Sequence, residues 1–183
     1  MKIGIQRIGQ TDSHVTSRIQ ENLKMVLSKA ELTLMREALP IPEEALNEDR
    51  QQHRSDIILR MIHEHAEKRN DLDRVLGIVD TDIYMPDLNY VFGQAEYPGK
   101  AALISLWRLR PEFYKRSANV ELLIERGTKE AVHELGHTIG LKHCANPFCV
   151  MYFSNSIFET DRKQSLFCSK CHMKIEAVVG RSG

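Results

Sequence analysis

The sequence predicts an α/β fold: a mixed five-stranded sheet with two main helices, then a long helix, then a small irregular C-terminal part. Three observations point there. Short apolar stretches alternate with longer ones whose apolar residues recur three or four apart. Arg74-Val75-Leu76-Gly77-Ile78-Val79-Asp80 is almost continuously apolar, as in a strand covered on both faces. All four cysteines fall between Cys144 and Cys171, beyond the last regular pattern.

Lys2 to Ile8 reads as the first strand. Asp12 to Ser28 reads as a helix, with Val15, Ile19, Leu23 and Val26/Leu27 at helical spacing and Thr11 or Asp12 as its cap. Glu31 to Leu39 is a second strand, broken by Pro40 and Pro42. Glu43 to Asn70 reads as mostly helical, with Ile57, Ile58, Met61 and Ile62 inward and its charges solvated. Arg74 to Asp80 follows. Tyr90 to Ala95 and Ala101 to Leu109 form a last, antiparallel pair around Pro98-Gly99, which puts Tyr90–Ala95 at an edge. Asn119 to Gly140 is the long helix, weakened at Gly127 by about 1 kcal/mol relative to alanine.

Size and composition bound the function. The 183 residues suggest one domain, in which 1–140 carries the regular patterns and 141–183 is short, cysteine-rich and irregular. Lys+Arg and Asp+Glu number 25 each, so net charge is 0, which argues against a nucleic-acid binder held by bulk positive charge. No apolar run approaches the roughly 18 residues of a membrane span. The apolar stretch at Met1–Gln6 is too short for a signal peptide, so the expectation is a cytoplasmic protein; separately, it is expected to be a monomer.

The chemistry is written at His133-Glu134-Leu135-Gly136-His137-Thr138-Ile139-Gly140-Leu141-Lys142-His143. Residues four apart on a helix share a face, so His133 and His137 can aim ring nitrogens at one ion. Glu134 projects near the same edge. A third ligand six residues past His137 requires the helix to stop, and Gly140 tolerates the left-handed conformation that stops it. His143 can then return to the metal. Three neutral imidazoles leave a zinc ion charged and open at one position, where water is acidified towards a pKa of about 7. Glu134 can take that water's proton and deliver it to a leaving amine. H-E-x-x-H alone is a weak signal; Gly140, His143 and the preceding Val120, Leu123, Ile124, Ala131 and Val132 strengthen it.

Cys144 and Cys149 form one pair, Cys168 and Cys171 a second. Paired thiols at these spacings fit a closed, tetrahedral, structural zinc site. Two disulfides, or a redox-active Cys168-x-x-Cys171, are the alternatives. Cys144 directly follows His143, so a structural zinc would clamp the loop that carries the third histidine.

The run from His133 to Cys144, then Cys149-x-Met151, then Cys168-x-x-Cys171, resembles the archaemetzincins. The resemblance implies a zincin-like sheet, a zinc metallopeptidase with a peptide or protein substrate, and two Zn2+, one catalytic and one structural. It also implies that Met151 lies in a tight turn beneath the catalytic zinc. The competing reading is a two-zinc binding module that holds peptides on its sheet edge with little or no turnover. Other residues carry bland expectations. His63 and His65 are two apart on a helix and cannot share a metal. His14, His53 and His172 read as exposed or structural, with His172 a reserve ligand if one cysteine is free. Tyr152 reads as a packing tyrosine rather than a ligand, Trp107 as core, and Asp80 and Asp82 as turn formers.

Overall fold

The computed structural model describes residues 1–179. Its main sheet holds β1 (Lys2–Ile8), β2 (Glu31–Leu34), β5 (Arg74–Val79), β7 (Gly93–Ala95) and β8 (Ala101–Ser105), in the order β2-β1-β5-β8-β7. Four strands are parallel and β7 pairs antiparallel with β8 at the edge. Between β2 and β5 come β3 (Leu46–Asn47), β4 (Gln52–Arg54) and α2 (Ser55–Glu67), and β6 (Ile83–Tyr84) follows β5. Helix α1 (Ser13–Val26) joins β1 to β2, and α3 (Val120–Thr138) follows β8.

The sheet is covered on both faces, which explains why β5 is apolar from Val75 to Val79. Leu76 and Ile78 face one core with Val15, Ile19 and Leu23 of α1 and Leu123, Ile124 and Val132 of α3. Val75 and Val79 face the other, with Ile58, Leu59 and Ile62 of α2. β1, β5 and β8 each contribute residues to both cores because side chains alternate across a pleated sheet. Asp12 is the α1 cap: its Oδ1 accepts from the backbone N–H of His14 and Val15 at 2.7 and 3.1 Å. Gly127 does not break α3. A Cβ there would come within 2.7 Å of Ile19 Cδ1, so the glycine lets α1 pack closely.

Several elements depart from expectation. The second strand stops at Leu34, because the buried Gln6 amide donates to Glu37 O at 2.6 Å and bulges the chain out; it rejoins β1 only at the Ile8–Leu39 bridge. Residues 43–45 make a single 3-10 turn, and 46–54 are not helical. Asn47 Oδ1 accepts from Arg50 N, Gln51 takes a left-handed φ of 53°, and β3–β4–β6 form a small sheet. The inward apolar stripe begins only at Ile57, so α2 begins at Ser55. The last strand ends at Ser105, whose Oγ accepts from Trp107 N and starts a 3-10 turn. Trp107 is thereby turned outward and is 45% exposed rather than core. The part after Gly140 is also more regular than expected, with α4 (Ile157–Arg162) and α5 (Ser169–Val179). No helix among the described residues is long and apolar enough to cross a membrane.

Candidate functional site

Helix α3 carries the site. Asn119 caps its start through Leu122 N, and Gly140, at φ 98°, ends it. Gly140 N donates to His137 O at 2.9 Å and Leu141 N to Gly136 O at 3.0 Å, so the chain turns back under the helix. That turn brings His143 to the face that His133 and His137 share. The Nε2 atom of His137 lies 3.1 Å from that of His133 and 3.2 Å from that of His143.

The tautomers follow from the other ring nitrogens. His133 Nδ1 donates to Val150 O at 2.8 Å and His137 Nδ1 to Leu141 O at 2.7 Å. Their Nε2 atoms are therefore bare acceptors aimed at one point, an arrangement that repels unless a cation sits between them. Zinc–nitrogen bonds of about 2.0–2.1 Å place tetrahedral ligands about 3.3 Å apart, which matches the observed separations. Burial lowers the pKa of His133 well below the ordinary histidine value, with the nearby Lys163 charge adding to it. Burial also lowers those of His137 and His143. All three are held as neutral imidazoles, the form that binds metal.

Glu134 is 6% exposed and lies against the edge strand. A Cβ at Gly93 would fall 2.7 Å from both Cγ and Oε1 of Glu134, so β7 has no side chain where the carboxylate packs. Burial raises the Glu134 pKa well above the ordinary carboxylate value; Glu130, one turn earlier, raises it further, and Lys163 opposes. Met151 is fully buried beneath α3, its sulfur under Gly136. The turn that holds it is closed by Tyr152 N donating to Cys149 O at 2.9 Å. Tyr152 is half-buried; it is Phe153 that lines the cleft, with its ring centroid 4.9 Å from that of His143.

The four cysteine sulfurs also converge, all within 4.8 Å of one another, and none is in a disulfide. Cys144 and Cys168 sulfurs are 3.8 Å apart, about the spacing set by zinc–sulfur bonds of roughly 2.3 Å in a tetrahedron. The N–H of Cys171 pulls the Cys168 thiol down to about 7, towards the thiolate that metals bind. Cys144 N donates to Met151 O at 2.9 Å, which ties this cluster to the turn under the histidines. His172 is exposed and outside the cluster.

Several structural residues at the site were not legible beforehand. Arg126, Lys129 and Glu130 look like a solvated face of α3, yet all three are buried under the segment that contains α4. Arg126 pairs with Asp161 at 2.7 Å, Lys129 reaches Asp161 O, and Glu130 Oε1 accepts from Thr160 Oγ1 at 3.0 Å. Lys163 Nζ stands 2.9 Å from Glu130 Oε1, an ion pair by distance whose angle falls short of a hydrogen bond. Asp80 and Asp82 are not mere turn formers. They pair with Arg110 and Arg108, a match that the common i, i+2 spacing of the two pairs could have signalled. Arg108 also stacks on Tyr90 at 4.3 Å, and Tyr90 donates to Asn155 O at 2.7 Å across the cleft. His63 pairs with Glu96 and His53 bonds Thr81, so neither joins a metal cluster.

The cleft, about 390 Å³, runs from Tyr90–Gly93 past Glu130, Glu134 and the histidines to Phe153–Asn155. Residues 3–177 match the model of peptidase family M54. The archaemetzincin of Methanocaldococcus jannaschii is 42% identical over 176 residues, covering 96% of this chain and 93% of that protein. The crystal structure of the Archaeoglobus fulgidus archaemetzincin, complexed with malonate, is similar at a TM-score of 0.81 and 39% identity, over 95% of this chain and 99% of that one. A zinc-dependent peptidase from Methanocorpusculum labreanum is similar at a TM-score of 0.86 and 28% identity, over 94% and 99%.

Proposed function

We propose that this chain, which belongs to peptidase family M54, the archaemetzincins, hydrolyses peptide bonds with Glu134 as its general base. The chain is a zinc metallopeptidase. In this reading His133, His137 and His143 hold the catalytic zinc. Cys144, Cys149, Cys168 and Cys171 hold a second, structural zinc, and Met151 supports the first site from below. The observation that carries the reading is the Glu134 carboxylate, packed against the side-chain-free Gly93 at the sheet edge in the cleft that the three histidines line.

Zinc in the histidine site supplies Lewis-acid chemistry, acidifying water and polarising a scissile carbonyl. The free edge of β7 binds an extended peptide by strand addition, which orients that carbonyl. Glu134 Oε takes a proton from the attacking water and later gives it to the leaving nitrogen. Its burial suits both duties, because a raised pKa makes the carboxylate a better proton holder near neutral pH. Leu141 O and Val150 O keep the imidazoles in the ligating tautomer throughout. We read the chain as one catalytic unit that works as a monomer, with 141–183 clamping what 1–140 presents.

Replacing Glu134 by Ala tests the role. Zinc content should stay at two per chain while cleavage of a mixed peptide library falls at least about 100-fold. Equal turnover in both proteins would remove Glu134 from the mechanism. Peptide binding with no turnover in either would favour a binding module instead.

A further inference from the structure

We infer that Glu130 is a specificity-determining residue, selecting a substrate side chain that ends in a hydrogen-bond donor on the leaving-group side of the scissile bond. The inference rests on the peptidase reading above. Two cavities flank the histidines. One holds Tyr90 to Gly93, Glu130 and Asn155; the other holds Ala95, Tyr97 and Lys142. A peptide added to the free edge of β7 pairs best antiparallel, the more stable kind of ladder. It then runs opposite to Gly93–Ala95, so the residues after the scissile bond pass Gly93 and enter the half that contains Glu130.

Glu130 is an unusual group to meet there. Its side chain is 4% exposed, and that remainder faces the cleft. Oε1 is occupied by Thr160 Oγ1 and Lys163 Nζ, both buried, which fix the carboxylate in place. The carboxylate, which lines the cleft, keeps further acceptor capacity, since two oxygens offer about four lone-pair sites. A lysine ammonium or glutamine amide can use it. An aliphatic side chain of the same length excludes solvent and leaves a buried carboxylate short of a partner, the arrangement that discriminates most strongly between isosteres.

The test uses zinc-loaded protein and three hydroxamates, HONH–CO–CH2–CH(R)–CO–NH2, with R the side chain of lysine, glutamine or norleucine. The hydroxamate anchors on zinc and R enters the Glu130 half, so calorimetric affinity reads the subsite without turnover. The lysine and glutamine compounds should bind about tenfold more tightly than norleucine. In the double variant Glu130→Leu, Lys163→Met, which leaves no buried charge unpaired, the order should reverse. Equal or tighter binding of norleucine to the unaltered protein overturns the inference and leaves the peptidase reading intact. No binding of any of the three to protein shown to contain zinc overturns both.

Discussion

Met151 lies with its sulfur directly under Gly136, so close that a Cβ on that glycine would stand 2.5 Å from Sδ and 3.1 Å from Cε. The contact couples the helix that bears two histidines to the turn that supports them. Val150, next in the chain, accepts from His133, and Met151 O accepts from Cys144.

Gly136→Ala should therefore destabilise the protein by about 1–3 kcal/mol through overpacking. Urea denaturation would show a lower midpoint at unchanged slope. An unaltered midpoint would mean that the turn yields without cost. Zinc affinity should fall with stability, because the displaced turn carries the carbonyl that orients His133.

Cys168→Ser or Cys171→Ser should loosen the histidine site as well as the cysteine site. The link is the adjacency of His143 and Cys144 and the Cys144–Met151 hydrogen bond. Zinc retained after challenge with a chelator should drop at both sites. A variant that loses one equivalent and holds the other as firmly as before would separate the two centres.

Lys163→Met should cost about 3–5 kcal/mol, because it strands the buried Glu130 carboxylate. The double variant Glu130→Leu, Lys163→Met should recover most of that loss, since replacing a whole buried pair by apolar groups is often near neutral. A double-mutant cycle by chemical denaturation measures the difference. Additive losses would show that Glu130 and Lys163 do not depend on each other.

Stripped of metal, the protein should lose stability as pH falls below about 6.5. Burial lowers the pKa values of His133, His137 and His143 in the folded state, so the unfolded chain takes up protons first. Their contribution is complete above the unfolded value of 6.5 and is lost as pH drops from there through the lowered folded values. Thermal denaturation in chelator between pH 8 and 5 should show the melting temperature falling at the acid end. A variant with His133 and His137 changed to Asn should show a flatter profile.

The convergence of the three histidines and of the four cysteines was legible because each depends on local spacing. A helix carries His133 and His137 to one face whatever surrounds it, and Gly140 signals the turn that returns His143. The edge strand was legible as well, although it is shorter than its apolar pattern suggested. Beyond the 3-10 turn at Glu43–Ala45, residues 46–54 read as helical in the sequence because their charges suit a solvated helix. Their actual course depends on Asn47, Gln51 and pairing with β6, which lies about thirty residues away.

Sequence alone determined which residues could meet a metal and what reaction such ligands support, because those properties follow from helical periodicity and from the chemistry of imidazole, carboxylate and thiolate. Tertiary structure decided the surroundings. It buried Arg126, Lys129 and Glu130 beneath α4, turned Trp107 outward, gave Asp80 and Asp82 their arginines, and set Gly93 against Glu134. Each of these joins segments far apart in the chain. A residue's own neighbours in sequence carry no record of which distant surface will exclude water from it.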